Sequence, residues 1–443
     1  MFKRFLLRQY RKVYRYDNWM RHHFTVSGHL ILIVMVAAAV FGVDTKHSNT
    51  YQLFVFLLII LIFAVLNNLF NRLKVSIKRQ LPRYGTVGES FSYTVTLTNL
   101  GAKNYSDLAL IEQLADNFPS YAQLQHFYSR NKKTRRKRGI SFNQWRRYLI
   151  YQRGGIIPET PIPELKQKST TININFTPLR RGKIHFASSF LAKPDVLGLF
   201  RRLIPINESQ SCLILPKRYP LKPLALTGKH KYQAGGVSLA NSVGNSSEFM
   251  GLRDYQHGDP LNKIHWKSFA KHGKLIVKDY QDEYFVRRAL LLDTFIGNTE
   301  PDVFEAAVSI AASVAMMERQ TESLLDLMFV GQETYCFTTG RGVDHLPHLQ
   351  EILASVQSSD TDNFLPLQQA VLSRAGQCSS FVCVLMHWDD LRQQLLKTLA
   401  AQGLPVAVFL VHDGSLSTAQ CANKPQHFYL LNYQHLENEL AAL

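Results

Sequence analysis

The sequence predicts three parts in a row: a membrane α-hairpin, a β-sandwich, and an α/β domain with a mostly parallel sheet. Three observations predict them. Two apolar runs, residues 26–43 and 51–70, contain no Lys, Arg, Asp or Glu. Short stretches that alternate apolar and polar residues begin at residue 73. From residue 287 strand-like and helix-like patterns take turns to the C-terminus.

The apolar runs come first. As helices of 18 and 20 residues they reach about 27–30 Å, the thickness of a bilayer core. Only residues 44–50 join them, which favours an antiparallel hairpin over residues 26–70. The leader, residues 1–25, carries Lys3, Arg4, Arg8, Arg11, Lys12, Arg15 and Arg21. Arg72, Lys74, Lys78, Arg79 and Arg83 follow the second run, whereas the joining loop has only Lys46, offset by Asp44. Cytoplasmic flanks of membrane helices carry the excess of Lys and Arg. The expectation is therefore a multi-pass protein of the inner (cytoplasmic) membrane with both ends and all soluble parts in the cytoplasm. A signal peptide fits less well, having a shorter apolar core and a small-residue cleavage site.

The rest of the chain, about 370 residues, exceeds one ordinary core and suggests two soluble domains. The formal net charge is +18. Part of that excess lies in one tract, residues 130–153, and no Asp or Glu occurs between Phe118 and Pro158. Five cysteines without CxxC spacing argue against a disulfide framework or a zinc site.

Residues 71–216 read as a β-sandwich. Phe91, Tyr93, Val95 and Leu97 fall on one face of an alternating stretch, and Ile172, Ile174 and Phe176 on one face of another. The basic tract enters this domain as an insertion, residues 118–158. Residues 217–286 combine a Gly- and Ser-rich linker with a dense charged block. Residues 287–443 alternate strand and helix, the pattern of a parallel sheet covered by helices. There, residues 289–292 form a short buried strand ending at Asp293, and Pro301 and Asp302 suit the first turn of a helix.

The charged block carries a resemblance. Glu248, Phe249, Leu252, Arg253, Tyr255, Gly258, Asp259, Ile264, Trp266, Lys267, Ala270 and Lys271 stand in the register of the signature of a bacterial family, domain of unknown function fifty-eight. The Gly-Leu-Phe element at residues 198–200 also resembles that family. Asn262 stands where the family usually has Arg, and the basic insertion is foreign to it. The resemblance implies a membrane hairpin, a β-rich segment and an α/β domain similar to von Willebrand factor type A. It also implies association with a MoxR-type AAA+ ATPase. It implies no enzymatic activity, cofactor or client.

On their own residues, the block's mixed charges suit either a salt-bridged surface or an active site. Gly258-Asp259-Pro260 reads as a turn opening a helix, with Asp259 as N-cap and Ile264, Trp266 and Phe269 seating that helix. Arg253, Asp259 and Lys267 are expected to hold a loop by charge-assisted hydrogen bonds. The enzymatic alternative is a metal-dependent hydrolase or nuclease using block 248–283. Asp259, Asp279 or Glu283 would bind Mg²⁺ and Lys278 would polarise the attacking water. Such sets arise easily in any charged block, so the structural reading is preferred and no catalytic residue is assigned. The von Willebrand likeness also implies a divalent metal at Asp293, through Asp-x-Ser-x-Ser. Phe295 and Gly297 replace both serines, so Asp293 is read as a degenerate metal position and no metal is expected. Gly340-Arg341-Gly342 reads as a turn, since no Gly-Lys-Ser/Thr follows. For the basic tract, membrane lipid contact or a solvated loop ranks above nucleic acid, although Trp145, Tyr148 and Tyr151 would offer stacking faces.

The reading is thus a membrane-anchored cytoplasmic scaffold that works with a MoxR-type AAA+ ATPase in assembly or maturation of a protein complex.

Overall fold

The structure is a computed structural model. It describes residues 2–41, 48–69, 73–101, 104–130, 140–165, 169–206, 208–224, 226, 248–259, 261–281, 287–297, 299–318, 324–331, 333–339, 345–359, 363–417, 421 and 423–443. The 217–247 linker lies mostly outside these residues, as do Lys46, Pro260, Glu283 and residues 340–342. The chain divides into two compact units. The first holds residues 1–218, 298–312 and 350–357, and the second holds 219–297, 313–349 and 358–443.

The first unit opens with three helices. The leader, read above only as a basic segment, folds as α1 (Phe2–His23). Leu7 and Tyr14, seven residues apart, put one buried stripe on it. The apolar runs follow as α2 (Val26–Phe41) and α3 (Ser48–Leu69). Within α3, residues 49–67 are long and apolar enough to cross a membrane, by length and composition, and only 6% of that stretch is buried. The described part of α2 has 16 residues, about 24 Å, so among the described residues one helix meets the length of a span.

Two sheets then face each other. One runs β1-β3-β6, from β1 (Val75–Gln80), β3 (Phe91–Asn99) and β6 (Ser169–Phe176), all antiparallel. The other runs β2-β9-β7-β4-β5, with β8 paired to β7. Its strands are β2 (Tyr84–Thr86), β4 (Leu108–Leu114), β5 (Thr160–Ile162), β7 (Gly182–Pro194), β8 (Arg201–Ile206) and β9 (Gln210–Leu215). Tyr93, Val95 and Leu97 from β3 and Ile172, Ile174 and Phe176 from β6 are buried together with Leu110, Phe186 and Ile214. The period-two faces read from the sequence are the faces that build this core.

Crossing the core is a buried ion pair. The Nη2 of Arg79 on β1 donates to Glu112 Oε2 on β4 at 2.5 Å and to Ser189 Oγ on β7 at 2.6 Å. Both charged side chains are buried, so the pair ties one sheet to the other. Burial pushes the Glu112 carboxyl up, against the opposing pull of Arg79 and Ser189.

The basic insertion is not simply a solvated loop. It contains α4 (Tyr121–Arg130) and α5 (Phe142–Arg153). Ser141 and Gln144 form a reciprocal capping box that starts α5, and Gly154 at φ 98° ends it. Trp145 and Leu149 are buried with Leu124, Leu7 and Tyr14. Trp145 is therefore core, not a stacking face for nucleic acid.

The second unit holds one six-stranded sheet, β14-β13-β12-β15-β16-β17. Its strands are β12 (Arg287–Leu292), β13 (Leu324–Val330), β14 (Thr334–Thr339), β15 (Ser380–Leu385), β16 (Val406–His412) and β17 (His427–Asn432). β14 is the antiparallel edge, and the other neighbours pair in parallel. The helices of this region are α7 (Pro301–Glu318), α8 (His345–Ser355), α9 (Leu365–Arg374), α10 (Asp390–Ala401) and α11 (Leu436–Ala442). β15 and the Ala289–Leu292 stretch of β12 are buried because they lie inside the sheet. Ahead of the sheet, β10 (Glu248–Asp254) and β11 (Ile276–Gln281) pair as a separate antiparallel ribbon. α6 (Trp266–His272) lies between them in sequence.

Candidate functional site

The signature block is built on the β10–β11 ribbon. Arg253 pairs with Val277 and Leu252 with Lys278. The intervening chain folds back on the ribbon: Tyr255 N–H donates to Leu275 O at 3.0 Å and His265 N–H to Ile276 O at 2.8 Å. Ile264 bridges Val277 and is buried. Gly258 sits at φ 108°, a left-handed conformation that favours glycine.

The central contact joins Arg253 and Asp259. Nη1 and Nη2 of Arg253 donate to Oδ2 and Oδ1 of Asp259, each at 2.7 Å. This is the bidentate geometry of guanidinium with carboxylate. Gln256 N–H adds a bond at 2.9 Å. The Arg253 bonds, then the Gln256 N–H, hold the Asp259 carboxyl down to about 2. Asp259 thus closes the 253–259 loop backward. No bond from Asp259 caps the 3-10 turn at Leu261–Lys263, and the cap of α6 is His265. Two further expectations are corrected. Trp266 and Phe269 do not seat the helix, because both are exposed. Lys267 does not join the Arg253–Asp259 pair; it and Lys271 stand exposed on α6. The backbone of Glu248 and Phe249 runs in β10, and their side chains lie outside the described set. Asp279 is placed by its backbone opposite Gly251.

Asp259→Asn is expected to lower stability at neutral pH by weakening the Arg253 pair. Because the Asp259 carboxyl is depressed in the folded chain, its contribution is present above the ordinary range near 4. It is lost as pH falls toward about 2. Thermal melting of both forms across pH 2–7 reads this: the difference should shrink on acidification. A constant difference would show that the pair is not its source.

At the end of β12, Asp293 is buried. It accepts from Arg392 Nε at 2.8 Å and from Phe295 N–H at 3.1 Å. Arg392 is also buried, is bonded through Nη1 to Asp389, and lies 4.6 Å over the Phe364 ring. Burial alone would lower the Arg392 pKa; the charges of Asp293 and Asp389 outweigh it and raise it. Asp389 caps α10 through Arg392 N–H at 2.9 Å. The residues present do not fit a divalent metal at this position. A guanidinium already neutralises Asp293, and Phe295, at the first lost serine position, is buried against Phe364. Isothermal titration with Mg²⁺ should show no micromolar site that depends on Asp293; tight binding abolished by Asp293→Ala would contradict this.

Comparison with known proteins bears on this half of the chain. The family described as "Protein of unknown function DUF58" matches residues 251–413. That stretch of the chain is similar to the family. The DUF58 match begins inside β10 and ends just after β16, so it takes in α6, the Arg253–Asp259 pair and the Asp293–Arg392 pair. The "Uncharacterized protein YeaD" of Bacillus subtilis (strain 168) is 26% identical over 261 residues, 58% of this chain. This chain spans 63% of that relative's length. Among solved structures, the CARDB domain of PF1109 from Pyrococcus furiosus covers 32% of this chain and 93% of its own, at 10% identity and a TM-score of 0.18. A cohesin module from Clostridium perfringens covers 32% of this chain and 98% of its own, at 9% identity and a TM-score of 0.17. Likenesses of that size carry no argument.

One feature was hidden in the sequence and a second was legible there. Arg392 lies 99 residues from Asp293, and nothing local marks it. The capping boxes of the insertion were visible as Ser-x-x-Gln at Ser120–Gln123 and Ser141–Gln144, a helix-start signal that was not used.

Proposed function

We propose that this chain is a membrane-anchored cytoplasmic adaptor whose signature block receives a MoxR-type AAA+ ATPase during assembly or maturation of another protein complex. The observation that carries this reading is the state of the block. Its best-placed carboxylate, Asp259, is held by Arg253, while Leu261 and Trp266 stand 67% and 60% exposed. A hydrolase needs convergent groups open to substrate or metal. Contiguous exposed apolar side chains mark a partner surface, and the exposed Trp266 and Phe269 rings lie 6.0 Å apart. The ATPase itself is proposed from the family resemblance. α2 and α3 are read as a two-pass hairpin in the inner membrane, with both ends cytoplasmic by the distribution of Lys and Arg. The α/β half is read as von Willebrand factor A-like, with Arg392 standing in for the metal. The basic insertion is read as facing lipid headgroups.

The test is purification of the full chain from bacterial membranes in mild detergent. A MoxR-type ATPase should be identified with it by mass spectrometry, and a periplasm-active reporter after Leu443 should be silent. Recovery of the intact chain without that ATPase would count against the adaptor. A hydrolytic activity lost with Asp259→Asn at full stability would favour the enzyme.

A further inference from the structure

Residues 195–200 form the turn between β7 and β8, and their construction exceeds what a hairpin needs. The Asp195 carboxylate is buried and accepts from the N–H groups of Leu197, Leu199 and Phe200 at 3.1, 2.7 and 2.8 Å. Gly198 takes φ 66°. This fixes the turn with Val196 and Leu197 pointing outward, 80% and 47% exposed. Nothing in the sandwich core uses them.

The same turn grips the first turn of α2. Thr25 N–H donates to Leu199 O at 3.2 Å, and Thr25 Oγ1 to Gly198 O at 2.5 Å. Phe24 and Phe200 bridge as strand partners with their rings 5.3 Å apart, edge to face. Gly28 lies so close that a Cβ there would stand 2.1 Å from Leu199 O. The turn is therefore clamped level with the point where the apolar helix begins. Beside Phe24, α1 carries the exposed Trp19, its ring 6.0 Å away, with Tyr16 exposed one turn earlier. Lys193, Arg201 and Arg202 flank the turn itself.

Apolar tips with aromatic and basic neighbours, beside the start of an apolar helix, are the composition of a membrane interface. We propose that the 195–200 turn is seated in the leaflet that α2 enters, with Val196 and Leu197 reaching the acyl boundary of an anionic bilayer. This rests on the membrane-anchored reading of α2 and α3. It adds that the β-sandwich itself touches lipid and is fixed on the surface by the Thr25 and Gly28 contacts, so the sandwich does not swing on a tether.

The full chain is reconstituted into phosphatidylglycerol-containing vesicles and nitroxide-labelled at Val196→Cys, Leu197→Cys, Ile59→Cys or Leu179→Cys. Wild type, with its five native cysteines, is labelled in parallel as background. All four positions are exposed, so folding should be unaffected. Ile59 reports the anchor. Leu179 sits beyond the far end of the 13-residue β7, roughly 40 Å from the tip. Labels at 196 and 197 should collide severalfold more with oxygen than with an aqueous nickel complex, as at 59, and unlike 179. If 59 reads lipid while 196 and 197 read water like 179, this inference is wrong and the anchor stands. If 59 also reads water, both are wrong.

Discussion

Arg392→Leu is expected to destabilise the α/β unit by about 3–5 kcal/mol, the cost of leaving one partner of a buried ion pair alone. Among the described residues, Asp293 would keep only backbone N–H donors, from Phe295 at 3.1 Å and Met386 at 3.4 Å. Neither neutralises its charge. For a unit of this size the loss corresponds to a fall in Tm of roughly 6–20 °C. Asp293→Asn in the Arg392→Leu background removes the charge and should recover a large part of the loss. Thermal melting of the four forms completes the cycle. A single-variant effect below about 1 kcal/mol would mean that Arg392 does not serve as the internal cation.

Glu112→Leu is the second large effect, also about 3–5 kcal/mol. It strands Arg79 between the two sheets with Ser189 Oγ and Glu208 O as remaining acceptors. Arg79→Met with Glu112→Leu should cost far less than either change alone, since apolar replacement of a whole buried pair is often neutral. Burial raises the Glu112 carboxyl in the folded chain. The ionised form is therefore the less favoured one, and the pair's net contribution should weaken as pH rises through the carboxyl range. Denaturation of the detergent-solubilised chain at several pH values reads both statements. Additive single effects would contradict the proposed coupling.

Local patterns carried the fold a long way. The period-two faces of β3 and β6 are buried as the alternation requires, and the strand before Asp293 lies inside the sheet. The α1 helix and the helices of the insertion were missed because basic residues hide their apolar stripe. Leu7, Tyr14, Trp145 and Leu149 become a stripe only once the helices pack on one another. In the block, dense charge was legible, but which charge meets which was not. Arg253 and Asp259 are close in sequence and pair. Lys267 was grouped with them by spacing alone and faces solvent on the seven-residue α6. Trp266 shows the same limit: an aromatic in a signature reads as core until a structure shows it exposed.

The most direct measurement is co-purification of the MoxR-type ATPase with the full chain carrying Leu261→Ser and Trp266→Ser. Both positions are exposed, so melting should match wild type. The account predicts that the ATPase recovered with wild type is lost with this variant. Undiminished ATPase with the variant would contradict the assignment of the signature block as the partner surface.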